Sequence, residues 1–200
     1  MMQIHQQRFG RFGGMLVILA AVLLAPGCDS TDKTDDWFDG GDMKPASADT
    51  LQLTARILAA KGKTQQAGFV LDRMLDEYPD RIGTYTEGAS VLLVEGRVAD
   101  AEDLLDQGLE VFPGNPILLN DRGMTKLLSG NLPGASSDFD AALAADPVDA
   151  DFVANAALGA ALGGDEKRAI KLWSRVLPPA DVDRNLAIAR AARSRFTTLP

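Results

Sequence analysis

The chain has 200 residues, 46% of them hydrophobic, with one cysteine, one histidine and a formal net charge of −8. Such a composition builds one domain of ordinary size or a short repeat array. The acidity excludes nucleic acid as a main partner, because phosphate binding needs clustered Lys and Arg. A lone cysteine excludes an internal disulfide, so the fold must rely on packing.

In chain order, the first element is an export signal. Arg8 and Arg11 stand in a segment with no acid before Asp29, and Met15 to Ala25 is an apolar run closed by Pro26 and Gly27. A positive stretch, a short apolar stretch and small residues are the parts of a signal peptide. The run is too short to span a bilayer, which needs about 20 apolar residues. The only cysteine, Cys28, follows directly in "LLAPGCDS". Ala25-Pro26-Gly27-Cys28 resembles the lipobox of bacterial lipoproteins. That resemblance implies cleavage after residue 27 and lipidation, with palmitate among the acyl chains, at Cys28. It places the protein in the bacterial cell envelope, anchored to a membrane and facing the periplasm. Several acyl chains hold a protein stably where one holds it marginally. Asp29 resembles the inner-membrane retention signal of enteric lipoproteins, and the choice between inner and outer membrane stays open. So does the alternative of a secreted protein with a fortuitous cysteine.

Residues 28–47 then form an acidic tether. "DSTDKTDDWFDGGDMKPAS" carries six Asp and too few apolar residues to bury. Its Asp spacing does not make a calcium loop, since Trp37 occupies a ligand position and no closing Glu follows. Trp37 and Phe38 are expected to pack on the first helix, the alternative being a small docking element.

From residue 48 the chain repeats. Pro79, Pro113 and Pro147 lie at one fixed interval, and Gly62, Gly96, Gly130 and Gly164 share it. So do Ala67, Ala101, Ala135 and Ala169; Ala55, Ala89, Gly123 and Ala157; and Leu71, Leu105, Phe139 and Trp173. The five columns are in phase at about 34 residues, and the unit resembles the tetratricopeptide repeat (TPR). That resemblance implies an all-α solenoid of four helix-turn-helix units, 48–81, 82–115, 116–149 and 150–180, followed by a capping helix and tail over 181–200. First helices are expected near 49–61, 83–95, 117–129 and 151–162. Second helices are expected near 65–77, 99–111, 133–145 and 166–177, with a last helix at 182–195.

Each column has a physical reason. Small residues on facing helices let the two backbones approach. The glycines close the turn in a left-handed conformation, and the prolines stop the second helix. Large residues at 71, 105, 139 and 173 fill the layer between units. The terminal helix covers a stacking face that would otherwise meet water. Arg122 and Lys126 break the pattern, because apolar side chains usually stand there; the third unit is expected to be looser or to turn that face outward.

A lipid anchor, an acidic tether and a short TPR array together resemble the TadD lipoproteins of tight-adherence (Flp) pilus assembly, and "LNDRGMTKLLSGNLPGASSDFDAALAADP" is similar to that group's sequences. Lipoproteins of barrel assembly and of type IV pili share the same parts.

Little here points to catalysis. His5 lies in the segment to be removed and Cys28 carries the lipid, which excludes Ser-His-Asp and Cys-His sites and zinc held by His or Cys. No phosphate-binding loop or dinucleotide fingerprint occurs. Glu102 and Asp106 are one turn apart, but on an exposed helix such a pair reads as solvated charge. The expectation is therefore no enzyme, no metal, no cofactor beyond the covalent lipid, and no small-molecule substrate. What remains is a protein partner laid along the concave face of the array. The residues expected there are Gln52, Arg56, Thr86, Ser90, Asn120, Met124, Leu127, Ala154 and Leu158. They point to an adaptor or, alternatively, a permanent subunit of a secretion or barrel-assembly complex. Charge is uneven as well: residues 165–200 carry net +4 and residues 29–164 net −14. The basic end is either a docking site or a solvated cap.

Overall fold

The computed structural model describes residues 46–196, with side chains described through Arg193. The expected signal peptide, Cys28 and the acidic tether up to residue 45, with Trp37 and Phe38, lie outside the described residues.

Among the described residues there are nine helices and no strand. They are α1 (Ala48–Ala60), α2 (Thr64–Glu77), α3 (Ile82–Val94), α4 (Val98–Val111), α5 (Pro116–Leu128), α6 (Leu132–Ala145), α7 (Ala150–Gly163), α8 (Glu166–Trp173) and α9 (Pro179–Phe196). The starts are set by side chains that satisfy otherwise orphaned N–H groups. Ser47, Asn115, Asn131, Asp149 and Asp165 all accept such bonds. Each hairpin turns at the recurring glycine, with φ of 68, 75, 83 and 94° at Gly62, Gly96, Gly130 and Gly164. Any other residue at those angles would strain the backbone.

α1–α2, α3–α4, α5–α6 and α7–α8 pack as hairpins, and each first helix also lies against the next, α1 on α3, α3 on α5, α5 on α7. The architecture is an α-solenoid. Its alanine columns are sealed: Ala67, Ala101 and Ala169 are 0% exposed and Ala135 1%. Gly123 breaks its column of alanines for a visible reason. A Cβ there would stand 2.6 Å from the Phe139 ring and 3.3 Å from the Ala135 carbonyl oxygen. The Phe139 ring therefore occupies the space that the missing methyl would take.

Two expectations need correction. The second helix of the last unit ends at Trp173 rather than near 177. Pro178 disfavours helical backbone in the residue before it, and the chain instead leaves through tight turns from Leu177 and Val176 to the Trp173 carbonyl. The terminal helix starts earlier than 182, at Pro179. Proline is tolerated in a first turn, where its missing N–H would have no partner. α9 lies on α7 and α8, where the first helix of another unit would lie. It buries Val182, Leu186 and Ala189 against Trp173 and Leu172.

The third unit is neither loosened nor turned outward. Arg122 on α5 donates through Nε and Nη2 to the two carboxylate oxygens of Asp138 on α6, at 2.8 and 2.7 Å. Its Nη1 reaches Asp106 on α4 at 2.6 Å, and Lys126 Nζ reaches Asp138 at 2.9 Å. The Asp138 side chain is only 6% exposed. Asp138 occupies the column that holds Val70, Leu104 and Leu172 in the other units. A polar cluster has therefore replaced apolar packing on both helices at once. Burial alone would raise the Asp138 pKa, but the hydrogen bonds from Arg122 and Lys126 carry it below the ordinary carboxylate range.

Candidate functional site

The face built by α1, α3, α5, α7 and α9 carries the expected binding positions, and the structure sorts them into three groups. At the first unit, the side-chain amide of Gln52 lies against the backbone of Gly83. Arg56 grips Glu87 of α3 with a forked ion pair, its Nε 3.0 Å from Oε2. Both residues are occupied in bridging the first two units.

The second group lines a cleft of about 260 Å³ between α3 and α5, walled by Thr86, Ser90, Asp121, Met124 and Thr125. Thr86 and Met124 are half-buried and Ser90 is exposed. The third lines a cleft of about 280 Å³ between α7 and α9, with Ala154, Asn155, Leu158, Trp173, Asn185 and Ile188. Trp173 is fixed there by its indole N–H, which donates to the Ala154 carbonyl at 3.2 Å. Ile188 is 61% exposed at the rim.

Between the clefts stands Asn120. It is buried, and its Oδ1 accepts from Asn155 Nδ2 across the α5–α7 seam at 2.8 Å. Asn120, Met124 and Leu127 share one face of α5, but the structure does not gather them into one site. Asn120 ties two units together, Met124 lines the α3–α5 cleft, and Met124 and Leu127 both pack, half-buried, against the core of the last units.

Sequence reasoning passed over Glu87, Asp121, Asn155, Asn185 and Ile188. The signal for three of them was present. Leu53, Glu87, Asp121 and Asn155 form the column one residue after Gln52, Thr86, Asn120 and Ala154, and one residue is only about 100° of helix rotation. Asp121 is the most perturbed of them. Burial above all, opposed by a hydrogen bond with Asn120 and helped by the nearby Glu87 charge, leaves its carboxyl pushed up to about 6. No salt bridge engages Asp121 among the described residues.

Of Glu102 and Asp106, the second is drawn to Arg122. No group of three His, Cys, Asp or Glu side chains could hold a metal among the described residues, and no described helix is long and apolar enough to cross a membrane. At the basic end, Arg168 pairs with Asp140, Arg184 with Asp181, and both Arg190 and Arg193 with Glu166. Arg175 donates to the Pro147 carbonyl. The Arg184 pair lies within α9, and the others fasten α8, α9 and the segment between them to their neighbours.

No protein-family model and no curated protein matches the sequence. Solved structures do resemble the fold. A thermophilic TPR protein of Thermus thermophilus superposes with TM-score 0.61 at 18% identity, over 74% of this chain and 84% of its own. YrrB, described as a TPR protein with an unusual peptide-binding site, gives 0.57 at 17% identity, over 76% and 80%. A TPR protein of Parabacteroides merdae gives 0.60 at 19% identity, over 78% and 60%. With hairpins, glycine turns and stacked first helices all in place, the fold of this chain is the TPR solenoid.

Proposed function

We propose that this protein is a non-enzymatic TPR adaptor, tethered through lipidated Cys28 to a membrane of the bacterial cell envelope, where it holds a protein partner along the first-helix face. The observation that carries the reading is the pair of clefts on that face, each with an apolar lining and a few polar groups. Such surfaces suit an extended segment or an amphipathic helix with spaced apolar anchors. YrrB, which has the same fold, is described as having a peptide-binding site. The lipobox-like stretch and the acidic tether would let the array stand off the bilayer, and assembly of a pilus or secretion apparatus is the setting those parts fit.

Two measurements test this. Met124→Glu and Leu158→Glu should each abolish capture of the native partner from envelope extracts while the helical circular dichroism stays intact. Unchanged capture by both folded variants would remove the first-helix face from consideration. Cys28→Ser should abolish palmitate labelling and release the protein to the soluble fraction, whereas labelling that survives would end the anchor.

A further inference from the structure

We propose that the segment held by this face is basic, with a Lys or Arg side chain seated beside Asp121 in the α3–α5 cleft and an apolar side chain in the α7–α9 cleft. This rests on the adaptor reading above and names the chemistry of the partner.

Among the described residues no cation pairs with Asp121. On α3 the neighbouring acid, Glu87, is held by Arg56 of α1. Arg122, next in sequence to Asp121, is directed to Asp138 of α6 and Asp106 of α4, and Lys126 to Asp138. From α7 the facing group is the neutral Asn155, bonded to Asn120. The described arginines of the C-terminal end are engaged with Asp140, Glu166, Asp181 and the Pro147 carbonyl. A carboxylate in a cleft with no local counter-charge repels an acidic segment and gains most from an arriving cation, because charges attract more strongly away from bulk water. The raised carboxyl of Asp121 fits that vacancy for positive charge. The wider field agrees: residues 46–164 contain eighteen acids and eight Lys or Arg, a net of −10. Such a body draws a basic segment toward the cleft and slows an acidic one.

The test uses the full chain in a non-ionic detergent and two fluorescent probes, a short peptide alternating Leu and Lys and the same peptide with Glu for Lys. The Leu–Lys probe should bind about tenfold tighter or more. Asp121→Asn should weaken it by about tenfold, with thermal melting confirming the fold. Asp76→Asn, an exposed position on α2, should change nothing. Binding to the wild type should also weaken as pH falls from about 7.5 to about 5, since protonated Asp121 has no charge to offer. Equal binding of both probes, or no binding of either, overturns the proposal. An equal loss in Asp76→Asn overturns it too, by showing diffuse attraction. If Leu158→Glu abolishes binding while Asp121→Asn leaves it unchanged, the face stands as a docking surface and the cation seat falls.

Discussion

Replacing Asp138 by alanine should be among the most damaging single changes in the array. The substitution removes the acceptor of three hydrogen bonds and leaves two cations in a packed layer, Arg122 at 21% and Lys126 at 16% side-chain exposure. Breaking a buried ion pair from one side costs about 3–5 kcal/mol, because the remaining charge stays desolvated and unpaired. Arg122 keeps Asp106 at 2.6 Å, and both cations retain some water, so the loss should lie at the low end, about 3 kcal/mol. For a domain of this size that lowers the melting temperature by roughly 6–12 °C. The informative control is the triple variant Arg122→Ala, Lys126→Leu, Asp138→Leu. It installs residues found at the same columns in sibling units, where Ala156, Leu92 and Leu104 stand, and apolar replacement of a whole buried ionic cluster is neutral or stabilising by about 1–4 kcal/mol. Urea unfolding followed by circular dichroism measures both. The reasoning fails if Asp138→Ala costs less than about 1 kcal/mol, or if the triple variant is as unstable as the single one.

Asp121→Asn should stabilise the protein at neutral pH, by up to about 3 kcal/mol at 1.36 kcal/mol per pK unit. The sign follows from a folded-state pKa raised to about 6: the destabilisation is absent below the unfolded value of about 4 and grows as pH rises toward the folded one. Matched melts of wild type and variant should therefore converge in acid, and a gap that persists at low pH would contradict it. Asp138, whose pKa is lowered, acts in the opposite sense, its stabilisation being lost as pH falls through its folded value. Ala135→Leu, at a sealed helix crossing, should cost about 1–3 kcal/mol by overpacking, and an unchanged urea midpoint would show that the hairpin is looser than drawn. Asn120→Ala should cost about 1 kcal/mol through the lost Asn155 bond and affect partner capture less than Met124→Glu; the reverse ranking would return Asn120 to the binding surface.

Most of the fold was legible because repetition turns weak local signals into strong ones. A single Ala or Gly says little, but Ala67, Ala101, Ala135 and Ala169 in phase with four glycines leave few architectures standing. What escaped was compensation between columns. Arg122 and Lys126 were visible as departures, whereas the matching departure at Asp138 lies on the other helix and was not read against them. The helix end at Trp173 was missed for a local reason, since a proline pair can stop one helix and start the next. The site was less legible. Choosing Gln52, Arg56 and their equivalents followed a strict four-residue step, which skips the adjacent column that holds Glu87, Asp121 and Asn155. Asn120 was read as surface because its partner, Asn155, lies one repeat away.

The two acids that set the third unit apart are connected through α5. Asp121 and Arg122 are neighbours in sequence, yet they project about 100° apart around the helix, so one faces the cleft and the other the interior of the hairpin. Arg122 could neutralise Asp121 only by leaving Asp138, which would take two of the three hydrogen bonds from a carboxylate at 6% exposure and leave it Lys126 alone, and by leaving Asp106 as well. The interior cluster therefore does more than substitute for apolar packing. By fixing Arg122 with three hydrogen bonds, it directs the cation next in sequence away from the cleft, as the proposed cation seat at Asp121 requires. A repeat array can accommodate this because the units on either side carry ordinary apolar packing. The polar departures are concentrated in one hairpin, and its neighbours hold it in register.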